Sequence, residues 1–486
     1  MNGNPAKRLG ELIADIVPCE VRGGGDCIVT SLQIDSRKVR DGALFVALRG
    51  EHVDGHLFID AAVAAGARAV VMEREQLLPS NVTGIVVPDS ARALSLLANS
   101  LFGRPSQSLR AIGITGTNGK TTTAHFIAAI LSEGGIPTGV LGTLGARFAD
   151  QRWKIENTTP LAHELHQILA QMRDAGANAV AMEVSSHALA LQRVEDVRFS
   201  IGVLTNITRD HLDFHGTFGN YVSVKRRLFE RADTLILNVD DAIGAQWSRE
   251  FREHKRVLTY GLCAEADIRA LHARFHEQYT DFQIGAQEFR LHLPGRFNVA
   301  NALAAVALAR TFGIQDGISA RGLRTIDSLP GRMQRQECEG ISVIVDYAHT
   351  PDALANLLSA VRETTLGKVL VVFGCGGDRD AGKRALMGSI AAENADRIFV
   401  TSDNPRSEDP QKIVDQIAEG IPARDARNIH IDRREAIVAA IEAAQGGDTV
   451  VIAGKGHERY QVYAERVEHF DDMQEARDAL QCRQRH

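Results

Sequence analysis

The run Ile112-Gly113-Ile114-Thr115-Gly116-Thr117-Asn118-Gly119-Lys120-Thr121-Thr122-Thr123 constrains the fold of this chain more than any other stretch. An apolar strand enters a glycine-bearing loop and leaves it directly as a helix. Gly116 and Gly119 let the backbone turn its N–H groups around an anion, and Lys120 adds a point charge for outer phosphates. Thr121 offers a hydroxyl to Mg²⁺ where the helix begins, with Thr122 beside it, and the positive end of the helix dipole faces the same anion. The order predicts binding of a nucleoside triphosphate by residues 116–122. The general phosphate-loop pattern has a glycine five residues before Gly119, and here that position is Ile114, so the loop is a variant form.

At 486 residues the chain is too long for a single hydrophobic core, and an α/β protein of three domains is expected. Hydrophobic content of 44% with 24% charged residues fits an ordinary globular composition. No apolar run has the length of a membrane span and residues 1–12 lack a secretory apolar region, so a cytoplasmic location without membrane insertion is expected. The six cysteines show no C-x-x-C spacing, which argues against zinc and disulfides. A formal charge of −6 disfavours nucleic acid as a partner.

Short apolar runs alternate with helix-period stretches throughout. The first group, at 43–48, 57–66, 69–72 and 91–101, reads as a small α/β domain over 1–102, and the polar, Pro-bearing stretch 103–108 reads as a linker. A second domain, 103–331, carries the phosphate loop and buried-strand candidates at 179–184, 200–204 and 234–237, covered by helices at 161–172 and 299–309. The third, 332–486, has strands expected at 342–345, 369–373, 397–400 and 449–452 with helices at 353–362 and 434–444. This is a doubly wound pattern whose ligands belong outside the carboxyl ends of the strands.

Chemistry-bearing clusters follow these strands. They are Met182-Glu183-Val184-Ser185-Ser186-His187, Thr205-Asn206-Ile207-Thr208-Arg209-Asp210-His211-Leu212-Asp213, and the run 221–229 that contains Lys225. Mg²⁺ takes oxygen ligands beside bridging phosphates, which makes Glu183 and His211 candidates.

Together with Asn298-Val299-Ala300-Asn301, Pro330-Gly331-Arg332, Asp346-Tyr347-Ala348-His349-Thr350-Pro351 and Gly454-Lys455-Gly456-His457-Glu458, these runs resemble the Mur ligase family over nearly the whole chain. Those enzymes build the peptide stem of peptidoglycan at the expense of ATP. The resemblance implies an N-terminal UDP-binding α/β domain, a central ATPase-like parallel-sheet domain and a C-terminal Rossmann-like domain. The run Asp35-Ser36-Arg37-Lys38-Val39 with 42–47 looks like the uridine-nucleotide domain of the member that adds the third stem residue. Its substrates would be UDP-N-acetylmuramoyl-L-alanyl-D-glutamate and an amino acid.

Asp403-Asn404-Pro405-Arg406 is similar to the signature of members that add meso-2,6-diaminopimelate. The chemistry agrees, because an arginine fork holds the extra carboxylate of diaminopimelate in two charge-assisted hydrogen bonds. Against lysine it would face an ammonium. The resemblance assigns Arg379, Gly454 and Glu458 to the same amino acid, and Asn301, Arg332 and Asp346 to ATP. It places Ile34, Ser36, Glu51, His52 and Val53 near the uridine, and Asn157, Thr158, Thr159, Ser185 and Arg193 at the sugar-peptide portion. Where some members have Gln two residues before Arg193, this chain has Leu191, with Gln192 adjacent.

The implied reaction is phosphoryl transfer from ATP to the D-glutamyl γ-carboxylate, followed by attack of the diaminopimelate amine on the acyl phosphate. Lys120, Glu183, His211 and Lys225 would be the catalytic set, with Thr121, Glu183, His211 and Lys225, as its CO₂ carbamate, on Mg²⁺. A monomer is expected. The rival readings are another ligase of the superfamily, such as folylpolyglutamate synthase or the ligase adding a different stem residue, a P-loop ATPase acting as a motor or binding module, and a catalytically dead homologue, against which Lys120, Glu183, His211, Lys225 and Arg406 are all present. The runs 35–39 and 403–406 weigh against the first, and Glu183 lies in a different context from a motor's Mg²⁺-binding strand end.

Overall fold

The computed structural model describes residues 6–50, 53–263, 265–422 and 427–484. The chain packs as two compact units: Met1–Thr115 with Ile136–Gly202 and Val224–Asp233, and Gly116–Gly135 with Val203–Ser223 and Thr234–His486.

In the first unit a five-stranded sheet runs in the order Glu20–Arg22, Thr83–Val86, Ala67–Met72, Ala43–Val46, Ser31–Gln33. The last four strands are parallel and the first is antiparallel. Alternation along Ala43–Val46 sends Leu44 and Val46 to one core with Leu94 and Leu97 of the helix Ser90–Leu101. Ala43 and Phe45 go to another core with Ile59 and Ala62. Both faces are covered, which is why this strand reads as an unbroken apolar run.

The same unit continues with Gln151–Trp153, Gly145–Phe148, Thr138–Gly142, Ala179–Glu183 and Arg110–Thr115 side by side. The last three are parallel, and a hairpin closes the edge. The stretch 103–108, expected as a linker, contains a short turn. Pro105–Gln107 forms a single 3-10 turn with Pro105 and Ser106 buried, and Ser106 Oγ accepts from the Arg198 amide at 3.0 Å. Pro105 supplies the fixed φ with which such a turn starts.

In the second unit Thr234–Asn238, Arg256–Gly261 and Ile268–Arg269 run parallel. The Ala-rich helix Arg296–Thr311 packs on Lys120–Glu133, the helix that leaves the phosphate loop. A six-stranded sheet follows in the order Gln334–Cys338, Ile341–Asp346, Thr449–Ala453, Val369–Phe373, Arg397–Val400, Arg427–Ile429, parallel apart from the first strand. Its last strand in sequence therefore lies inside the sheet. The helices Arg433–Ala443 and Asp472–Arg483 cover one face. Arg433 and Asp472, both fully buried, form a two-bond ion pair at 2.7 and 2.8 Å, and Arg433 also donates to the Ala453 carbonyl at 3.0 Å.

Candidate active site

In the second unit the phosphate loop is braced from three sides. Asn118 donates its amide to Asn206 Oδ1 at 3.0 Å and its side-chain NH₂ to Asp352 at 2.9 Å, while Thr205 Oγ1 donates to the Asn118 carbonyl at 2.6 Å. Thr117 Oγ1 donates to the Thr208 carbonyl at 3.0 Å and accepts from the Thr208 amide at 2.9 Å. Gly119 caps the helix at φ +85°, and a Cβ there would run into the Asn301 side chain. Only glycine fits that position. Asn301 in turn accepts from Thr123 Oγ1 at 3.2 Å. Lys120 folds back so that Nζ donates to the carbonyls of Gly116 at 3.0 Å and Thr117 at 2.7 Å. Thr121 Oγ1 accepts from Arg332 at 3.1 Å, and that guanidinium lies 4.7 Å from the centre of the Tyr347 ring. Asp346 accepts the amides of Met333 and Ala348 at 2.8 and 2.9 Å. Burial raises its carboxyl above the usual range, against the pull of Arg332 and these two amides.

Asp210 is a hub that sequence reasoning did not single out. Burial by itself would raise its carboxyl, but His211, His349, Lys383 and Lys120 outweigh it and hold the group below its ordinary value. His211 sits in the left-handed region at φ 53°, with Nε2 3.3 Å from Asp210 Oδ2.

The residues expected to hold an amino acid lie on loops beyond the strand ends of the six-stranded sheet. Arg406, also left-handed at φ 53°, donates from Nη1 to the Gly377 carbonyl at 2.7 Å. Arg379 donates to the Asp378 carbonyl at 2.8 Å. Gly454 lies against Asp403, so a Cβ on it would be 2.7 Å from Asp403 Oδ2. Pro405 carries its carbonyl to the Cα of Gly377, which leaves no room for a Cβ. Asn404, buried, donates to Glu458 Oε2 at 2.9 Å and accepts from Lys455 Nζ at 2.9 Å. Glu458 does not stand ready for an ammonium alone, because Lys455 already lies 3.2 Å from the same oxygen. The sequence quotes Lys455 within a motif but carries no sign of its full burial.

In the first unit, Glu183 ends its strand 1% exposed and accepts the Thr143 amide at 2.8 Å and the Thr143 hydroxyl at 3.1 Å. No cation is paired with it among the described residues. Thr159 Oγ1 donates to the Glu183 carbonyl at 2.8 Å and accepts from the Ser185 amide at 3.1 Å, and Thr143 and Thr158 hydroxyls are 3.2 Å apart. Arg193 donates from Nη1 to the Thr159 carbonyl at 3.1 Å, while its buried Nε has no partner among the described residues. Asn157 precedes this cluster on the same loop. Gln192 turns away through φ 56° and donates to Asp89 at 2.8 Å, and Leu191 is exposed.

Lys225, on the helix Phe218–Arg231, is 1% exposed and donates to Thr115 Oγ1 at 3.3 Å. Its neighbour Arg226 pairs with Glu230 at the surface at 3.2 Å, so the two residues face different environments. Ser36 opens the turn Ser36–Lys38 capped by Asp35, whose carboxylate is brought down to about 2 by the Arg37 fork. Ile34 packs at the edge of the core, and Val53 is exposed. Glu51 and His52 lie outside the described residues.

Three family descriptions match this sequence in succession: "Mur ligase family, catalytic domain" over 28–101, "Mur ligase middle domain" over 114–309, and "Mur ligase, glutamate ligase domain" over 331–456. The chain belongs to the Mur ligase family. The three-domain α/β architecture expected from the sequence is that of the family. A protein of Clostridium perfringens named UDP-N-acetylmuramoyl-L-alanyl-D-glutamate--2,6-diaminopimelate ligase is 39% identical over 95% of this chain and 97% of its own length. One of the same name from Thermosynechococcus vestitus is 44% identical over 94% of both chains. A solved structure of a ligase so named superposes with a TM-score of 0.65 at 34% identity, covering 94% of this chain and 95% of that one.

The Mur ligase residues present suit Mg²⁺ chemically. A buried carboxylate held only by neutral donors needs a cation, and Glu183 is one. Among the described residues no group of three His, Cys, Asp or Glu could hold a metal alone.

Proposed function

We propose that this Mur ligase joins meso-2,6-diaminopimelate to the D-glutamyl γ-carboxylate of UDP-N-acetylmuramoyl-L-alanyl-D-glutamate, using ATP and Mg²⁺, as a cytoplasmic monomer with domain limits at 102 and 331. The observation that carries the reading is the arginine-bearing loop 403–406 in the same unit as a braced phosphate loop. A terminal phosphoryl group moves from ATP to a carboxylate oxygen, ADP leaves, and the amine displaces phosphate from the resulting acyl phosphate to form the amide. The enzyme's task is to place two anions together and neutralise their repulsion.

Residues 116–122 hold the phosphates, Lys120 exchanging its loop carbonyls for phosphate oxygens, and Asn301, Arg332 and Asp346 frame the nucleotide. Thr121, Glu183, His211 and carbamylated Lys225 would hold Mg²⁺, which when bound neutralises charge on the transferring phosphoryl group. The carbamate forms when neutral Nζ of Lys225 attacks CO₂ and loses a proton, turning a buried cation into a carboxylate. Asn157, Thr158, Thr159, Ser185 and Arg193 orient the sugar peptide, and the unpartnered Arg193 Nε supplies a donor for it. Ile34, Ser36, Glu51, His52 and Val53 belong to the uridine end. Arg406 takes the distal carboxylate of diaminopimelate, Arg379 with Asp403, Asn404 and Pro405 contacts the same amino acid, and Gly454 with Glu458 holds its reacting end.

Phosphate release from ATP and Mg²⁺ with the UDP-sugar dipeptide tests this reading, with diaminopimelate, L-lysine or no amino acid added. Release that requires diaminopimelate supports it; preference for lysine, or release indifferent to the acceptor, overturns the assigned substrate.

A further inference from the structure

Arg209 is adjacent to the Asp210 hub, yet the mechanism above gives it no task. Its guanidinium donates from Nε and Nη2 to the two oxygens of Asp380 at 3.0 and 3.2 Å, a two-bond fork. Asp380 is 12% exposed and caps the turn Ala381–Lys383, accepting the Gly382 amide at 2.9 Å. A Cβ at Gly382 would lie 2.5 Å from Arg209 Nη2, so the turn is shaped to admit the fork. The same turn grips a second point, because Lys383 Nζ donates to the His349 carbonyl at 2.8 Å and its charge acts on Asp210.

From the turn, bonding runs on to the amino-acid loop. Arg384, 2% exposed, holds both oxygens of Glu408 at 2.8 Å. Glu408 accepts the Asp378 amide at 2.6 Å, and Asp378 accepts from the Ser407 hydroxyl at 2.6 Å, directly beside Arg406. In the other direction Thr208 is bonded to Thr117 of the phosphate loop. Arg209 with Asp380 thus links the turn directly to the loop 208–211, beside the Lys383–His349 grip and the Asn118–Asp352 bond.

We propose that Arg209 is a positioning residue, latching the turn Ala381–Lys383 to the loop 208–211 so that the amino-acid-binding arginines are fixed relative to the phosphate loop. The amino-acid part of this rests on the proposed function. The test uses the full chain as wild type, Arg209→Ala, Asp380→Ala and the charge swap Arg209→Asp with Asp380→Arg. Arg209→Ala is expected to raise KM for diaminopimelate about five-fold, the loss of an ion pair at the strong end for partly exposed groups, while ADP affinity stays unchanged. Amide hydrogen exchange over 376–384 should quicken in both single variants, and the swap should recover KM and exchange protection.

An unchanged KM, an equal loss of ADP affinity, or a swap no better than the single variants would overturn the proposal. The exchange measurement reads the latch without turnover: unchanged exchange refutes it. Quickened exchange in an enzyme that ignores diaminopimelate would support the latch and refute the substrate assignment instead.

Discussion

Lys455, fully buried, shares its ammonium between Asn404 Oδ1 at 2.9 Å and Glu458 Oε2 at 3.2 Å. Three residues on two loops of the candidate amino-acid site are therefore one electrostatic unit. Removing one partner of a buried ion pair leaves the other charge uncompensated. Lys455→Ala is expected to destabilise the protein by about 3 kcal/mol, read as a shift in the urea midpoint. A midpoint equal to wild type would mean that Glu458 finds compensation elsewhere.

Arg406 is expected to govern the amino acid and not the nucleotide. Arg406→Ala should lower kcat/KM for diaminopimelate by about 10²–10³, as for a carboxylate that loses its guanidinium, with ADP binding intact. Arg406→Lys should rescue little, since a point charge cannot reproduce the two-bond fork. Steady-state kinetics with an ADP titration decide this, and parallel losses would count against selectivity.

Lys225→Ala is expected to lower turnover by about 10²–10³ or more while UDP-substrate binding persists. Calorimetric titration supplies the binding half. Native mass measurement of the wild type should reveal a labile CO₂ adduct, and full activity in protein free of it would refute carbamylation.

His166 makes a prediction about pH. It is fully buried with neither ring nitrogen partnered among the described residues, and burial brings it down to about 4 against a modest opposing pull from Asp196. The unfolded chain therefore takes up a proton near 6.5 that the folded chain refuses until about 4. The stabilisation this residue provides is complete above the unfolded value and is lost as pH falls through that window, to the extent of about 3 kcal/mol. His166→Leu should flatten the slope of unfolding free energy between these two pH values; an unaltered slope would assign it to other groups, His163 first among them.

Much of the fold was legible because buried parallel strands are written as continuous apolar runs. Residues 43–46, 179–183 and 369–373 needed no other signal. In the stretch 103–108, read as a linker from its polarity and proline, the structure adds a 3-10 turn with Pro105 and Ser106 buried, which polarity alone does not show. Of the site, the sequence offers candidate residues through its motifs, and it is silent on the residues that hold them in place. Asn118 and Asp352 are bonded across 234 positions, and nothing local announces the pairing. His211, Asp378 and Arg406 are left-handed without being glycine, so composition does not mark the strain they carry. Glu183 illustrates both halves, its importance being readable and its grip on Thr143 not.

The position of Thr449–Ala453 bears on how the chain is made. Strands Ile341–Asp346 and Val369–Phe373 have no partner on their facing edges until that segment has been synthesised and inserted between them. The Arg433 guanidinium likewise waits for Asp472. A nascent chain emerging from the ribosome thus presents one open, apolar sheet edge from Asp346 onward and a second from Phe373 onward, both waiting for Thr449. Chains arrested before Thr449 are expected to be cut readily by protease across 341–448, and resistance there would show that the sheet closes another way. Closure of the C-terminal sheet therefore waits on Thr449–Ala453, the strand that comes last in sequence and sits inside it.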